Sequence, residues 1–294
     1  MARAEWSSAM IPAAFDYIAA SSVDEAIEML QKHGDQAKLL AGGHSLLPLM
    51  KLRLAAPGVL VDLGKIEDLR YIRDAGDHLA IGSMTTHYML ESSALVQERV
   101  PLLSQAAGMV GDMQVRNRGT IGGSLAHADP ASDLPSIVTV LRAGIVARGP
   151  RGERLIPADG FFQNTWTSTL YPEEVVTEIR VPYASGRTSS TYQKFRQRAA
   201  DWAIVGVAVS LTLDNGSVRD AGVVLTNVGS TPVRATAVEE ALRGGPSTRE
   251  ALGAAAERAA DGLNPPGELK GSPEYKLHLA RILTLRALET ALSG

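Results

Sequence analysis

Two glycine pairs, Gly42-Gly43 and Gly122-Gly123, carry the strongest chemical signal in this 294-residue chain. The first stands in Ala41-Gly42-Gly43-His44-Ser45, directly after a short apolar run that reads as a strand. Glycine has no Cβ, so the chain can turn tightly there and bring its main chain close to a ligand. Successive N–H groups can then converge on a phosphate oxygen as an anion nest, helped by a following helix N-terminus. A lone glycine pair is more often a plain turn. The second copy, Thr120-Ile121-Gly122-Gly123-Ser124, repeats the pattern of an apolar residue, two glycines and a nearby hydroxyl, also shortly before a helix. Two such loops could hold one diphosphate from two sides through backbone dipoles, without a cluster of cations. A third pair, Gly244-Gly245, precedes Pro246 and reads as a helix stop.

Three other side chains have two readings each. Asp133 could accept bonds from ligand hydroxyls, or simply stabilise the first turn of a helix. Lys194 could be a ligand contact or a solvated strand charge. Trp202 could stack on a planar ring or fill a core. Other chemistries lack their signatures. No GxGxxG is present, the glycine-lysine stretch near 58–65 fails the P-loop spacing, and GxSxG is absent. The six histidines are scattered, with no HExxH pair, so no metal site is expected.

The elements that must position these residues fall into three expected units. Residues 1–58 read as an α/β lobe. Ser22 and Glu25 form a capping box, a helix ends near Gly34, and strand 37–41 enters the first glycine pair before a short helix at 45–54. Residues 59–183 read as a second lobe, with a strand at 78–82, helices near 86–93 and 101–110, and the second glycine loop. There Asp129 and Pro130 supply start signals for an apolar helix over 131–142. Strands near 145–148, 154–157 and 175–182 complete a mixed sheet. Residues 184–294 read as an α+β domain: strands 205–213 and 218–227 joined by Asp214-Asn215-Gly216, then an alanine-rich helical tail.

Composition bounds the rest. Hydrophobic residues make up 45% and charged residues 21%, as in an ordinary globular protein. The net charge of −3 and pI near 6.1 give no basic excess for nucleic acid. No apolar run reaches the ~20 residues that span a bilayer, and the start MARAEWSSAM has no secretory apolar stretch. The cytoplasm is therefore the expected compartment. Met10 reads as an alternative start, with residues 1–9 a disordered extension. There is no cysteine, so this chain holds no disulfide, thiolate nucleophile or Cys-ligated cluster.

The run from Leu39 to Lys51, together with Thr120-Ile-Gly-Gly-Ser124, Asp129-Pro130 and Ser132-Asp133-Leu134-Pro135, resembles the flavin subunits of the molybdenum hydroxylases, the xanthine dehydrogenase family. Tyr192-Gln-Lys194 and Leu225-Thr-Asn-Val228 extend the likeness, which runs from about residue 10 to the C-terminus. Within the family it is strongest to the medium subunits of aerobic carbon monoxide dehydrogenases. The resemblance implies an α+β vanillyl-alcohol-oxidase (PCMH) type FAD-binding fold: two α/β lobes and a C-terminal α+β domain. It implies FAD contacts from Leu40, Ala41, Gly42, Gly43, His44, Ser45 and Leu46, and from Thr120, Ile121, Gly122, Gly123 and Ser124. Asp133, Lys194 and Trp202 would add to them. Trp202 stands where those relatives carry a Tyr, and Ser124 where Asn is common.

The resemblance further implies an oxidoreductase subunit whose substrate site lies on a partner. A large molybdenum-cofactor subunit would oxidise the substrate, such as CO with water, and a small [2Fe–2S] subunit would relay electrons to FAD. The acceptor would be a quinone or another molecule. A dimer of heterotrimers is expected, and peripheral association with the inner face of the membrane remains compatible. Flavin subunits of xanthine, nicotine or caffeine hydroxylases, and a stand-alone FAD oxidoreductase of the same fold, are the alternatives.

Overall fold

The structure, a computed structural model, describes residues 11–293. The expected extension at residues 1–9 and alternative start at Met10 lie outside them. The first unit is a parallel sheet in the order β1-β3-β2, from β1 (Asp16–Ala19), β2 (Ala37–Leu40) and β3 (Val59–Asp62). α1 (Val23–His33) crosses between β1 and β2. The Ser22 hydroxyl caps it by accepting from the Glu25 amide, and the Glu25 carboxylate reaches back to the Ser21 amide and hydroxyl. Ala26, Ile27 and Leu30 of α1 pack on Val59 and Val61. The expected boundary at 58/59 is therefore corrected. Val59–Asp62 is the central strand of the first sheet, and a cut before it would remove the strand that β1 and β2 both pair with. α2 (Leu46–Lys51) is shorter than the helix expected over 45–54.

The second unit is built on a five-stranded sheet, β4 (Ile72–Asp74), β5 (His78–Gly82), β6 (Gly144–Gly149), β7 (Gly152–Pro157) and β10 (Val175–Pro182), ordered β4-β5-β10-β6-β7. All its neighbours are antiparallel. A small hairpin, β8 (Phe162–Asn164) and β9 (Thr167–Ser168), sits before β10. Short helices fill the stretch after β5: α3 (His87–Ser92), α4 (Ala94–Arg99), α5 (Pro101–Gly108), α6 (Met113–Arg118), α7 (Ile121–His127) and α8 (Asp133–Val140). Two expectations change here. The second glycine pair lies inside the first turn of α7, with Thr120 as its N-cap, not in a loop before a helix. The next helix starts at Asp133, not beside Pro130, because Asp129 turns back to accept from the Ala131 amide.

The third unit is an antiparallel sheet, β11 (Arg187–Phe195), β12 (Val205–Asp214), β13 (Ser217–Thr226) and β14 (Val233–Arg234), in chain order. Asn215 and Gly216 both take positive φ, the geometry a two-residue hairpin turn needs. Alternation along the strands feeds two cores. Val205, Val207, Val209 and Leu211 join α9 (Thr236–Leu242), α10 (Arg249–Ala256) and α11 (Pro273–Ser293). Tyr192, Ala208 and Val224 on the other face enter the core of the second unit. The third sheet is thereby fastened to the second unit by apolar burial rather than by a linker.

Candidate functional site: a cleft between the three units

The two glycine pairs, far apart in sequence, line one cleft of about 720 Å³. That lies in the upper part of the ~300–1,000 Å³ range of ligand sites. The pairs meet because both are bare. A Cβ on Gly42 would press on the Arg118–Gly119 backbone, 2.7 Å from the Gly119 Cα. One on Gly123 would stand 2.9 Å from the Thr120 hydroxyl and 3.4 Å from the Ala41 Cβ. Gly43 has φ +77, a left-handed conformation that glycine adopts without penalty.

The two pairs differ in what their amides do. Among the described residues, the main-chain N–H groups of 42–46 have no acceptor. They are five successive donors at the rim of the cleft, with α2 beginning behind them. At the second pair every amide is spent. Ile121 donates to the Thr85 carbonyl at 3.0 Å and Gly122 to Ser83 at 2.9 Å. Gly123 donates to the Thr120 hydroxyl at 3.2 Å and Ser124 to the Thr120 carbonyl at 3.0 Å. Of the expected two-sided amide grip, the amides of 121–124 are therefore already engaged within the protein, and no acceptor among the described residues is seen for the Thr120 amide. The first loop offers free donors. The second offers a smooth floor on which a ligand can lie close to the main chain.

Asp133 and Lys194 stand deeper in the cleft and form an ion pair of 2.7 Å, with side chains only 5% and 2% exposed. Lys194 also donates to the Met109 carbonyl at 3.0 Å, so it is no solvated strand charge. Asp133 also accepts from the Tyr192 hydroxyl at 2.7 Å. Burial raises the Asp133 carboxyl above its ordinary range, against the pull of Lys194 and of the Tyr192 hydrogen bond. Burial, then the neighbouring Asp133 charge, holds the Tyr192 phenol well above its usual value. The pair needs both members, since each neutralises a charge the other would leave stranded.

Trp202 is 54% exposed and lines the cleft, so it is not a core residue. His44, Ser45, Leu46, Thr120 and Ser124 line it too, and the Ser124 hydroxyl is 2.8 Å from that of Ser132. Two expected residues do not. Ile121 is fully buried in the core of the second unit, and Leu40 ends β2, where its carbonyl accepts from Leu63. Several cleft residues went unread in the sequence. Trp166, at the tip of the β8–β9 hairpin, is 60% exposed, stacks on His127 with centroids 6.4 Å apart, and donates to Asp129 at 3.2 Å. His87, at the start of α3, is buried beside Gly119, and its Nδ1 has no partner among the described residues. Burial, with His44 and Arg116 nearby, lowers its pKa to about 4, so it is neutral. Nothing in the local pattern marks Trp166. His87 follows the cap Thr86, and only its burial separates it from a surface histidine.

A cleft with amides lacking an acceptor on one wall, exposed aromatic side chains and a buried ion pair has the chemistry to take a ligand that joins phosphate to planar rings. Residues 13–184 match the family described as the FAD binding domain in molybdopterin dehydrogenase, and residues 190–291 match the CO dehydrogenase flavoprotein C-terminal domain. The chain belongs to this family of FAD-binding subunits of molybdenum hydroxylases. It is 44% identical to the carbon monoxide dehydrogenase medium chain of Hydrogenophaga pseudoflava, over 96% of this chain and 98% of that one. A structure of carbon monoxide dehydrogenase from the same organism superposes with a TM-score of 0.95 at 46% identity, covering 97% of this chain and 99% of the other. Quinoline 2-oxidoreductase from Pseudomonas putida 86 superposes with a TM-score of 0.93 at 32% identity, covering 97% and 99%.

Proposed function

We propose that this chain is the FAD-holding, electron-accepting subunit of a carbon monoxide-oxidising molybdenum enzyme, and that the 42–46 amides bind the FAD diphosphate. One observation carries the reading of the site: five successive residues whose main-chain amides have no acceptor among the described residues line the same cleft as the second glycine pair. A diphosphate is the anion such a nest suits, because several oxygens can each take an N–H bond and no mobile side chain has to be ordered. FAD, when bound, supplies the two-electron redox chemistry. The chain's own residues bind and orient it. Gly122 and Gly123 admit it close to the main chain, and Trp166 and Trp202 supply aromatic surface. The Asp133–Lys194 pair presents a fixed dipole in the cleft, already held by Tyr192 and Met109.

The absence of cysteine bears on the partners. Electrons that reach this cleft through iron–sulfur clusters must come from another chain. A small [2Fe–2S] subunit and a large molybdenum subunit, arranged as a dimer of heterotrimers, meet that need, and a quinone or another oxidant then drains the flavin. No helix among the described residues is long and apolar enough to cross a membrane. A cytoplasmic enzyme docked at the inner membrane face to reach quinone fits that reading. Carbon monoxide is favoured as the partner's substrate by the likeness to the Hydrogenophaga medium chain.

The test is an FAD titration of the purified complex and of Gly123→Val. The wild type should hold one FAD per chain. The variant should lose it, because valine would crowd the Thr120 hydroxyl and Ala41 where the two loops meet. Stoichiometric FAD in the folded variant would refute the placement.

A further inference from the structure

We propose that Asn227 is a positioning residue for the cleft: backed by the buried Lys276 ammonium, it clamps the 196–204 loop that carries Trp202 against the 130–133 segment that carries Asp133. The proposal rests on the cleft being the FAD site. Asn227 follows β13 and is 4% exposed, with φ +62. Its main-chain amide donates to the Pro130 carbonyl at 3.0 Å. Its side-chain amide donates to the carbonyls of Ala203 at 2.8 Å and Ile204 at 3.3 Å. One residue thus bonds to both walls, and both walls line the cleft, through Ser132 and Asp133 on one side and Asp201 and Trp202 on the other. Asn227 is absent from that lining, so it acts through the segments it holds.

The left-handed backbone at Asn227 is what lets one residue face two ways. That conformation is uncommon outside glycine, asparagine and aspartate, and it persists where surrounding contacts over-determine it. Lys276 supplies those contacts. Its side chain is wholly buried, and its ammonium donates to the Asn227 carbonyl at 3.0 Å and pairs with Glu268 at 2.7 Å. Glu268 opens a turn whose Gly271 packs on Ile204, and whose Lys270 pairs with Asp201 at 2.7 Å, one residue before Trp202. The loop therefore has an inner clamp at Asn227 and an outer tether at Lys270.

The experiment uses the full chain as Asn227→Gly, which keeps the left-handed backbone accessible and removes only the side-chain amide. Hydrogen exchange is followed on FAD-free protein. Peptides over 196–204 should exchange up to about tenfold faster, the scale of one well-formed hydrogen bond, since of the side-chain bonds lost the one to Ala203 at 2.8 Å is short and those to Ile204 at 3.3 Å and Glu268 at 3.4 Å are long, while β12 and β13 keep their rates. FAD affinity should weaken by a comparable factor, and the visible circular dichroism of bound FAD should change. Lys270→Ala, a surface change that leaves the core intact, should raise exchange in the same loop. Unchanged exchange at 196–204, a rise spread evenly over the third unit, or local loosening with unaltered FAD affinity and dichroism would each overturn the proposal. Wild-type FAD binding is read separately, so a failure of the FAD reading is distinguishable from a failure of the clamp.

Discussion

At the scale of single residues, the cleft depends on groups whose charge state is set by burial. Lys194 and Asp133 are the clearest case. Lys194→Met removes the ammonium and leaves a carboxylate 5% exposed without its paired cation, with only the more distant Arg196 charge to offset it. Breaking a buried pair from one side costs about 3–5 kcal/mol, and chemical denaturation should show a loss of that order at neutral pH. The loss should shrink as pH falls, because protonation of Asp133 removes the stranded charge. His87 gives the opposite lesson. Its folded pKa is lowered to about 4, against ~6.5 in an unfolded chain. Between those values the unfolded state binds the extra proton, so its contribution to stability is full above 6.5 and is lost as pH falls through that window toward 4. His87→Gln should flatten the stability profile between about pH 6.5 and 4 relative to the wild type. Identical slopes would show that His87 is not buried neutral.

At the scale of elements, the second glycine pair shows how a sequence pattern can be right about place and wrong about role. Gly122-Gly123 reads as a loop, since two glycines are poor helix formers. The cap at Thr120 and the carbonyls of Ser83 and Thr85 outweigh that propensity and hold the pair in the first turn of α7. Thr120→Ala should cost about 1 kcal/mol of unfolding free energy, the usual value of an N-cap, and Thr120→Ser should restore most of it. An alanine variant as stable as wild type would mean the cap is not what holds the pair. The 214–216 turn was legible because its signal is local: Asn-Gly can take the two positive φ angles. The first-lobe boundary was not. β3 enters its sheet between two strands that precede it, and parallel pairing leaves no mark in neighbouring residues.

At the scale of the whole molecule, the cleft is the place where three separately cored units meet. Its glycine loops, and Asp133 and Lys194 taken singly, were legible in the sequence as chemistry or as family likeness; that the two carry opposite charges into one buried pair was not, because 61 residues separate them. Trp166 and His87 were not, because an exposed hairpin tip and a buried helix start look alike until the units are packed. The family assignment rests on matches along nearly the whole chain, whereas the roles of individual side chains rest on geometry. The decisive measurement is a crystal structure of the FAD-loaded protein. The diphosphate oxygens should lie within about 2.7–3.2 Å of main-chain nitrogens in 42–46, with no direct bond from the amides of 121–124. A diphosphate held elsewhere, with the 42–46 amides still unpaired or turned to water, would contradict the account.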